Sequence, residues 1–263
     1  MLLDHIYLKI TKSDSKLSFT TTGGGDWEVW DRFISYDNEP LFHIGNICGT
    51  CAFFFTQIKT DLAGSYTADS VRNNLANGIE TISDDISKQL SAIIPEGEYE
   101  CLLLEIQPYQ TCYNGKRDYF KEEQNPLWDY EDETDETGGI YYRGTDSVIS
   151  EHEKLFEFFI PLYPPSSLEE NRVRFYQEQI REGKQPTALA LAVVDAKECM
   201  TYMEIPEDGI VSHWTYANYL LDGHHKIQAA SREKKSITLL SFISKDASFK
   251  VVDTLVELYK KNN

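Results

Sequence analysis

The chain has 263 residues, 41 % of them hydrophobic, enough to bury one large core or two modest ones. Its net charge of −18 is concentrated early: residues 1–150 carry 26 Asp and Glu against 11 Lys and Arg, whereas residues 151–263 carry 17 against 14. An acidic field of this size argues against duplex DNA and anionic lipid, because nucleic-acid binding rests on many Lys and Arg contacts to phosphate, and it leaves a basic protein as a candidate partner. Met1-Leu2-Leu3-Asp4-His5 lacks the basic stretch of a leader, and no apolar run reaches the roughly 20 residues needed to span a bilayer. The five cysteines, at irregular spacing, argue for reduced thiols and not a disulfide framework. The expectation is a soluble cytoplasmic protein.

Ile6–Ile10 and Leu17–Phe19 read as strands, and Thr22-Gly23-Gly24-Gly25-Asp26 as a turn leading into Trp27-Glu28-Val29-Trp30. A helix is expected from about Ala68 to Ile94, where Val71, Leu75, Ile79, Ile82, Ile86, Leu90 and Ile93 recur at three- and four-residue steps before Pro95-Glu96-Gly97. Cys101–Ile106 is a short apolar run, most simply a buried strand. From Tyr119 to Gly139 the pattern fails and six acidic residues crowd into positions 129–136, which reads as an exposed loop or linker. The expected organisation is an acidic mixed α/β subdomain over 1–150, of no assigned type, followed by a second domain over 151–263.

That second part is more regular. Leu155–Ile160 is a strand closed by Pro161 and Pro164-Pro165, and Ser166 or Ser167 caps a helix running to about Arg181, broken by Gly183-Lys184-Gln185-Pro186. Ala188–Val194 and Thr215–Leu221 read as strands, His224–Glu233 as a short helix and Ile237–Ile243 as a last strand. The fold class is α/β in the broad sense, segregating to α+β. Between Leu221 and Lys226 an apolar strand end passes through Asp222 and Gly223 into His224 and His225. A strand, a glycine-permitted turn and a helix N-terminus present free backbone N–H groups beside cationic side chains, a combination suited to phosphate.

Two other constellations carry chemistry on paper. Cys48-Gly49-Thr50-Cys51, preceded by His43, has the spacing of half a zinc knuckle or of a redox dithiol. A fourth zinc ligand is missing nearby, so these residues read as small thiols packed under Phe53-Phe54-Phe55, and no metal is expected. The four tryptophans read as core or interface.

The order of elements, with Ile180-Arg181-Glu182-Gly183-Lys184-Gln185-Pro186-Thr187, then Leu221-Asp222-Gly223-His224-His225-Lys226, then Ala229-Ala230 and the strand from Ile237, resembles the ParB/sulfiredoxin-like fold. The Asp-Gly-His-His form followed by a basic residue is similar to a subset of ParB-like domains and to the ADP-dependent serine kinase branch. The resemblance covers the last third of the chain. It implies a nucleotide or another phosphorylated small ligand, with Mg2+ and ATP or ADP as the cofactor class. Gly223 and Lys226 would bind it, with Asn171 and Arg172 reaching in from the preceding helix and Gln185 from the Gln-Pro step. His224, His225 and Asp222 would be the catalytic groups. His224 stands where the sulfiredoxin branch has its nucleophilic cysteine, so reduction of sulfinic acids is not implied. Lys226 stands where the family usually has Arg, and no helix-turn-helix follows, which argues against chromosome partition. Two classes stay open: metal-assisted phosphoryl transfer or phosphodiester hydrolysis, and a non-catalytic ligand-sensing or protein-interaction module.

Overall fold

The computed structural model describes residues 1–58, 71–129, 139–199, 206, 208–249 and 252–261. In chain order its elements are β1 (Leu2–Ile10), β2 (Leu17–Gly24), β3 (Trp27–Tyr36), β4 (Glu39–Asn46), β5 (Thr56–Gln57), α1 (Arg72–Asn77), α2 (Asp84–Leu90), β6 (Gly97–Ile106), β7 (Tyr109–Cys112), α3 (Asn125–Trp128), β8 (Ile140–Arg143) and β9 (Ser147–Val148). They continue with β10 (Glu153–Ile160), α4 (Glu170–Arg181), β11 (Thr187–Glu198), β12 (Ser212–Asp222), α5 (His224–Glu233), β13 (Ile237–Ser244) and α6 (Val252–Lys261). The main sheet is mixed and runs β1-β6-β13-β11-β12-β10-β8-β7, with β9 on β10. Among the described strands only the pairs β10–β12 and β11–β13 are parallel. Strands on both sides of residue 150 pair in this one sheet, β6 lying directly against β13. A second, antiparallel sheet has the order β2-β3-β4-β5. The fold is α+β.

The central strands are apolar on both faces because both faces are covered. Along β11, Leu189, Leu191 and Val193 join the core beneath the small sheet, with Ile34, Leu41, Phe42 and Ile44. The alternate residues Ala188, Ala190, Ala192 and Val194 face α4, α5 and α6, where Val173, Tyr176, Ile180, Ile227, Ala229 and Leu255 pack. Period-2 alternation thus separates large side chains from small ones, and the alanine side leaves room for the start of α5 to lie close on the strand. Arg32 of β3 and Asp195 of β11 fasten the two sheets: the guanidinium spans both carboxylate oxygens at 2.9 and 2.5 Å and also donates to the carbonyls of Ala247 and Asn46.

Trp27 is exposed and so not part of the core, and α4 is preceded by Glu169 with no side-chain cap, not capped by Ser166 or Ser167. Three larger expectations need correction. The helix expected over Ala68–Ile94 is divided: residues 68–70 lie outside the described set, α1 ends at Gly78, whose φ is +94°, and α2 restarts from the Ser83 cap, whose hydroxyl accepts from the Ile86 N–H. Val71, Leu75, Ile79, Ile82, Leu90 and Ile93 are still buried, so the apolar period marked the core face without marking the break. The loop expected from Tyr119 is in its first half a helical turn over Phe120–Gln124 and α3, with Tyr119, Phe120, Leu127 and Trp128 buried. Positions 130–138 of the acidic run lie outside the described residues. Finally, Cys48 and Cys51 are not free thiols; they form a disulfide, while Cys101, Cys112 and Cys199 are free. A three-residue spacing in a turn brings two sulfurs together locally, which an argument from the total cysteine count does not register. The strands β4, β7, β8 and β9 and the helix α6 add to the sequence reading.

Candidate functional site at the start of α5

β12 ends at Asp222 and turns into α5 through Gly223, which has φ +96° and ψ 16° and accepts the Ile227 N–H at 2.9 Å. Among the described residues no side chain caps this helix. A Cβ on Gly223 would lie 2.7 Å from Ala188 Cβ and 2.8 Å from Ala188 Cα, so both the handedness of the turn and the approach to β11 demand glycine.

The two histidines diverge as expected from adjacent helical positions, and each meets backbone. His224 is buried; its Nε2 accepts the Leu162 N–H at 2.9 Å and its ring packs on Tyr163. Burial pulls its pKa down to about 4, against the pull of Asp222, so the imidazole is neutral at pH 7. His225 is half-buried, and its Nε2 accepts the Glu169 N–H at 3.2 Å. Desolvation and then Arg172 lower its pKa, with Glu169 and Asp222 opposing. Together the histidines hold both ends of the segment that joins β10 to α4. They act as positioning groups for α4.

Lys226 is buried, and its Nζ donates to Asp222 Oδ2 and to the Thr187 carbonyl, both at 2.8 Å. The ammonium also lies over the Tyr176 ring, 5.7 Å from its centroid. Burial pulls the Lys226 pKa down, and Asp222 offsets only part of that. Burial alone would raise the Asp222 carboxyl, but Lys226, His224 and Arg72 outweigh it and hold the group below the ordinary carboxylate range. Lys226 is therefore an internal counter-ion to Asp222, and not the exposed phosphate-binding cation expected from the sequence.

Around this ion pair stand two arginines from distant parts of the chain. Arg172, exposed on α4, lies close enough that its charge lowers the pKa of Tyr176, His225 and Lys226. Arg72, exposed at the first position of α1, acts on Asp222, Lys226 and Tyr176. The Ile79 N–H donates to Thr187 Oγ1 at 2.8 Å, which fixes the link after α1 to the start of β11 and so brings Arg72 to the mouth. Arg72 and Tyr176 were not singled out from the sequence. Arg72 lies about 150 positions from the glycine turn, and Tyr176 reads as one of several apolar-face residues of α4.

The remaining expected residues are less involved. Asn171 occupies an exposed position on α4 beside Arg172. Gln185 turns its amide to Glu105 Oε1 at 3.3 Å and lines a surface cavity with Gly183, Lys184, Lys234 and Lys235, by the C-terminal ends of α4 and α5. That places its side chain at the far end of α5 from Gly223. His43 Nε2 bonds Asp31 Oδ1 at 2.9 Å, and the bridged sulfurs of Cys48 and Cys51 are not zinc ligands in this state. Among the described residues no three metal-ligating side chains converge. No helix among them is long and apolar enough to cross a membrane.

Comparison of the chain with family models, with curated proteins and with solved structures finds no match.

Proposed function

We propose that the mouth formed by Gly223, the first turn of α5, Arg172 and Arg72 binds a nucleotide or another phosphorylated small ligand. The observation that carries the reading is position: in a chain of net charge −18, the exposed arginines Arg72 of α1 and Arg172 of α4 both lie near enough to the start of α5 to shift the titration of the buried Lys226 there. The N-terminal N–H groups and the helix dipole favour an anion there, and guanidinium forks match phosphate oxygens. Lys226 and Asp222 set the floor of the site, and the two histidines hold α4 in place above it.

Of the two classes left open by the sequence, ligand sensing is favoured by one observation. Each imidazole already spends its Nε2 on a backbone N–H, so neither offers that nitrogen as a base. Asp222 is committed to Lys226. Mg2+ enters this reading only as an ion carried on the ligand's phosphates. An intracellular setting, where such ligands are abundant, belongs to the same proposal.

A thermal-shift panel of ATP, ADP, AMP, inorganic phosphate and adenosine, each with and without Mg2+, tests it. A phosphorylated ligand at 100 times its dissociation constant stabilises the folded chain by about 2.7 kcal/mol. Stabilisation by adenosine equal to that by its phosphates, or by none of the panel, would remove phosphate from the reading. Phosphate release on incubation would move the site to the catalytic class.

A further inference from the structure

The turn that follows β4, Cys48-Gly49-Thr50-Cys51, is held by three donors from other parts of the chain. Lys197 Nζ donates to the Cys48 carbonyl at 2.7 Å and to the Asn46 carbonyl at 3.1 Å. The Glu198 N–H donates to the Gly49 carbonyl at 2.8 Å, and Trp128 Nε1 donates to the Thr50 carbonyl at 3.1 Å. Asn46 Oδ1 accepts the Cys48 N–H at 3.1 Å. The carbonyls of Cys48, Gly49 and Thr50 are thus tied down without help from the sulfurs. A bridge between residues three apart closes a very short loop and removes little entropy from the unfolded chain, so it adds little to a turn already fixed in this way.

What the disulfide does have is access and a cation. Cys48 and Cys51 are each partly exposed, and Cys48 Sγ lies 3.7 Å from the Thr50 hydroxyl. The Lys197 ammonium is itself buried and sits on the backbone of Cys48, with the neutralised Arg32–Asp195 pair behind it. His43 and Asp31, on β4 and β3, are paired with each other. A cation held near a partly exposed cysteine favours its thiolate. Of the free cysteines, Cys101 and Cys199 have thiols pushed up by burial, and Cys112 is exposed.

We propose that Cys48 and Cys51 form a thiol–disulfide exchange site whose partners are thiols and disulfides. In the reduced state the Cys48 thiolate attacks one sulfur of a partner disulfide RSSR′. The Cys48–SR bond forms, the S–S bond of the partner breaks, and R′S− leaves to take up a proton. The Cys51 thiolate then attacks Cys48 Sγ, restoring the Cys48–Cys51 bridge and expelling RS−. Two electrons pass from the protein dithiol to the partner disulfide, and a dithiol drives the reverse reaction. Lys197 is a positioning residue, holding the turn and favouring the Cys48 thiolate.

The full chain is equilibrated with reduced and oxidised dithiothreitol at varied ratio, quenched in acid, alkylated, and counted at Cys48 and Cys51 by peptide mass, with far-ultraviolet circular dichroism in parallel. The expected result is a reversible two-electron transition with unchanged dichroism. The reduced protein then reduces oxidised glutathione, Cys48→Ser abolishes this, and Cys199→Ser leaves it intact. Iodoacetamide alkylation of Cys48 at pH 7 should slow about tenfold in Lys197→Gln, equivalent to one pH unit in the thiol's titration. A bridge that opens only when the chain unfolds, a reduced form inert to glutathione disulfide, or full activity in Cys48→Ser would each overturn the proposal and leave a structural crosslink. An alkylation profile unchanged in Lys197→Gln would overturn the role of Lys197.

Discussion

Replacing Gly223 by alanine tests the geometry on which the α5 mouth depends. At φ +96° an L-residue meets its own carbonyl, a strain of roughly 1–2 kcal/mol. The added methyl would also sit 2.7 and 2.8 Å from the side chain and backbone of Ala188, closer than carbon atoms pack. Ala188 cannot retreat, since β11 is hydrogen-bonded to β12 on one side and β13 on the other. Relief must come from displacing α5, and overpacking of this kind costs about 1–3 kcal/mol. Gly223→Ala should therefore lower the unfolding free energy by about 2–5 kcal/mol. Gly183 supplies the control: its φ is +88°, but an added Cβ would meet nothing within 4 Å, so Gly183→Ala should lose only the strain, about 1–2 kcal/mol. Urea unfolding of the two variants, with equal m-values, separates strain from packing. Equal losses in both, or a loss below 1 kcal/mol for Gly223→Ala, would refute the close approach to Ala188.

Three other substitutions address the buried charges. Asp195→Ala leaves the Arg32 guanidinium buried without its carboxylate, and urea unfolding should show a loss of about 3–5 kcal/mol; a loss under 1 kcal/mol would mean that the sheets are not fastened there. Burial pulls His224 to about 4 in the fold, below the ordinary imidazole value of 6.5, so the unfolded chain binds the extra proton between these values and stability falls as pH falls. Relative to His224→Gln, wild type should lose about 2 kcal/mol between pH 7 and pH 5, and parallel pH profiles would contradict a buried neutral imidazole. Glu157 has the opposite sign: burial raises its carboxyl from 4.5 to about 7, so wild type should lose stability relative to Glu157→Gln as pH rises across that interval. A gain over the same interval would show the carboxylate to be ionised in the fold.

The C-terminal third was legible because its signals are local. The run through Leu221, Gly223 and His224 names a strand end, a positive-φ turn and a helix start within six residues, and each stands where the spacing put it. The alternation of Ala and Leu along β11 was read as one buried strand, and it also encodes which side takes the helices. What the sequence could not supply was pairing at long range. β6 lies beside β13, and Arg72 arrives at the mouth through Thr187, contacts that no local period specifies. The role of Lys226 was misjudged in emphasis for a related reason: its position beside the glycine turn was visible, but the Thr187 carbonyl that completes its hydrogen bonding comes from a strand 39 residues away. The Cys48–Cys51 bridge was missed because an odd total of cysteines says little about one close pair.

The most direct measurement is calorimetric titration of wild type and Arg172→Ala with ATP, ADP and adenosine. Arg172 is exposed on α4, so its removal should leave the unfolding transition within about 0.5 kcal/mol of wild type. Loss of a charge-assisted hydrogen bond to phosphate corresponds to about 1.5–3 kcal/mol of binding free energy. The α5 mouth as described predicts that loss for the phosphorylated ligands and little change for adenosine. Undiminished nucleotide binding by Arg172→Ala, with the fold intact, would contradict it.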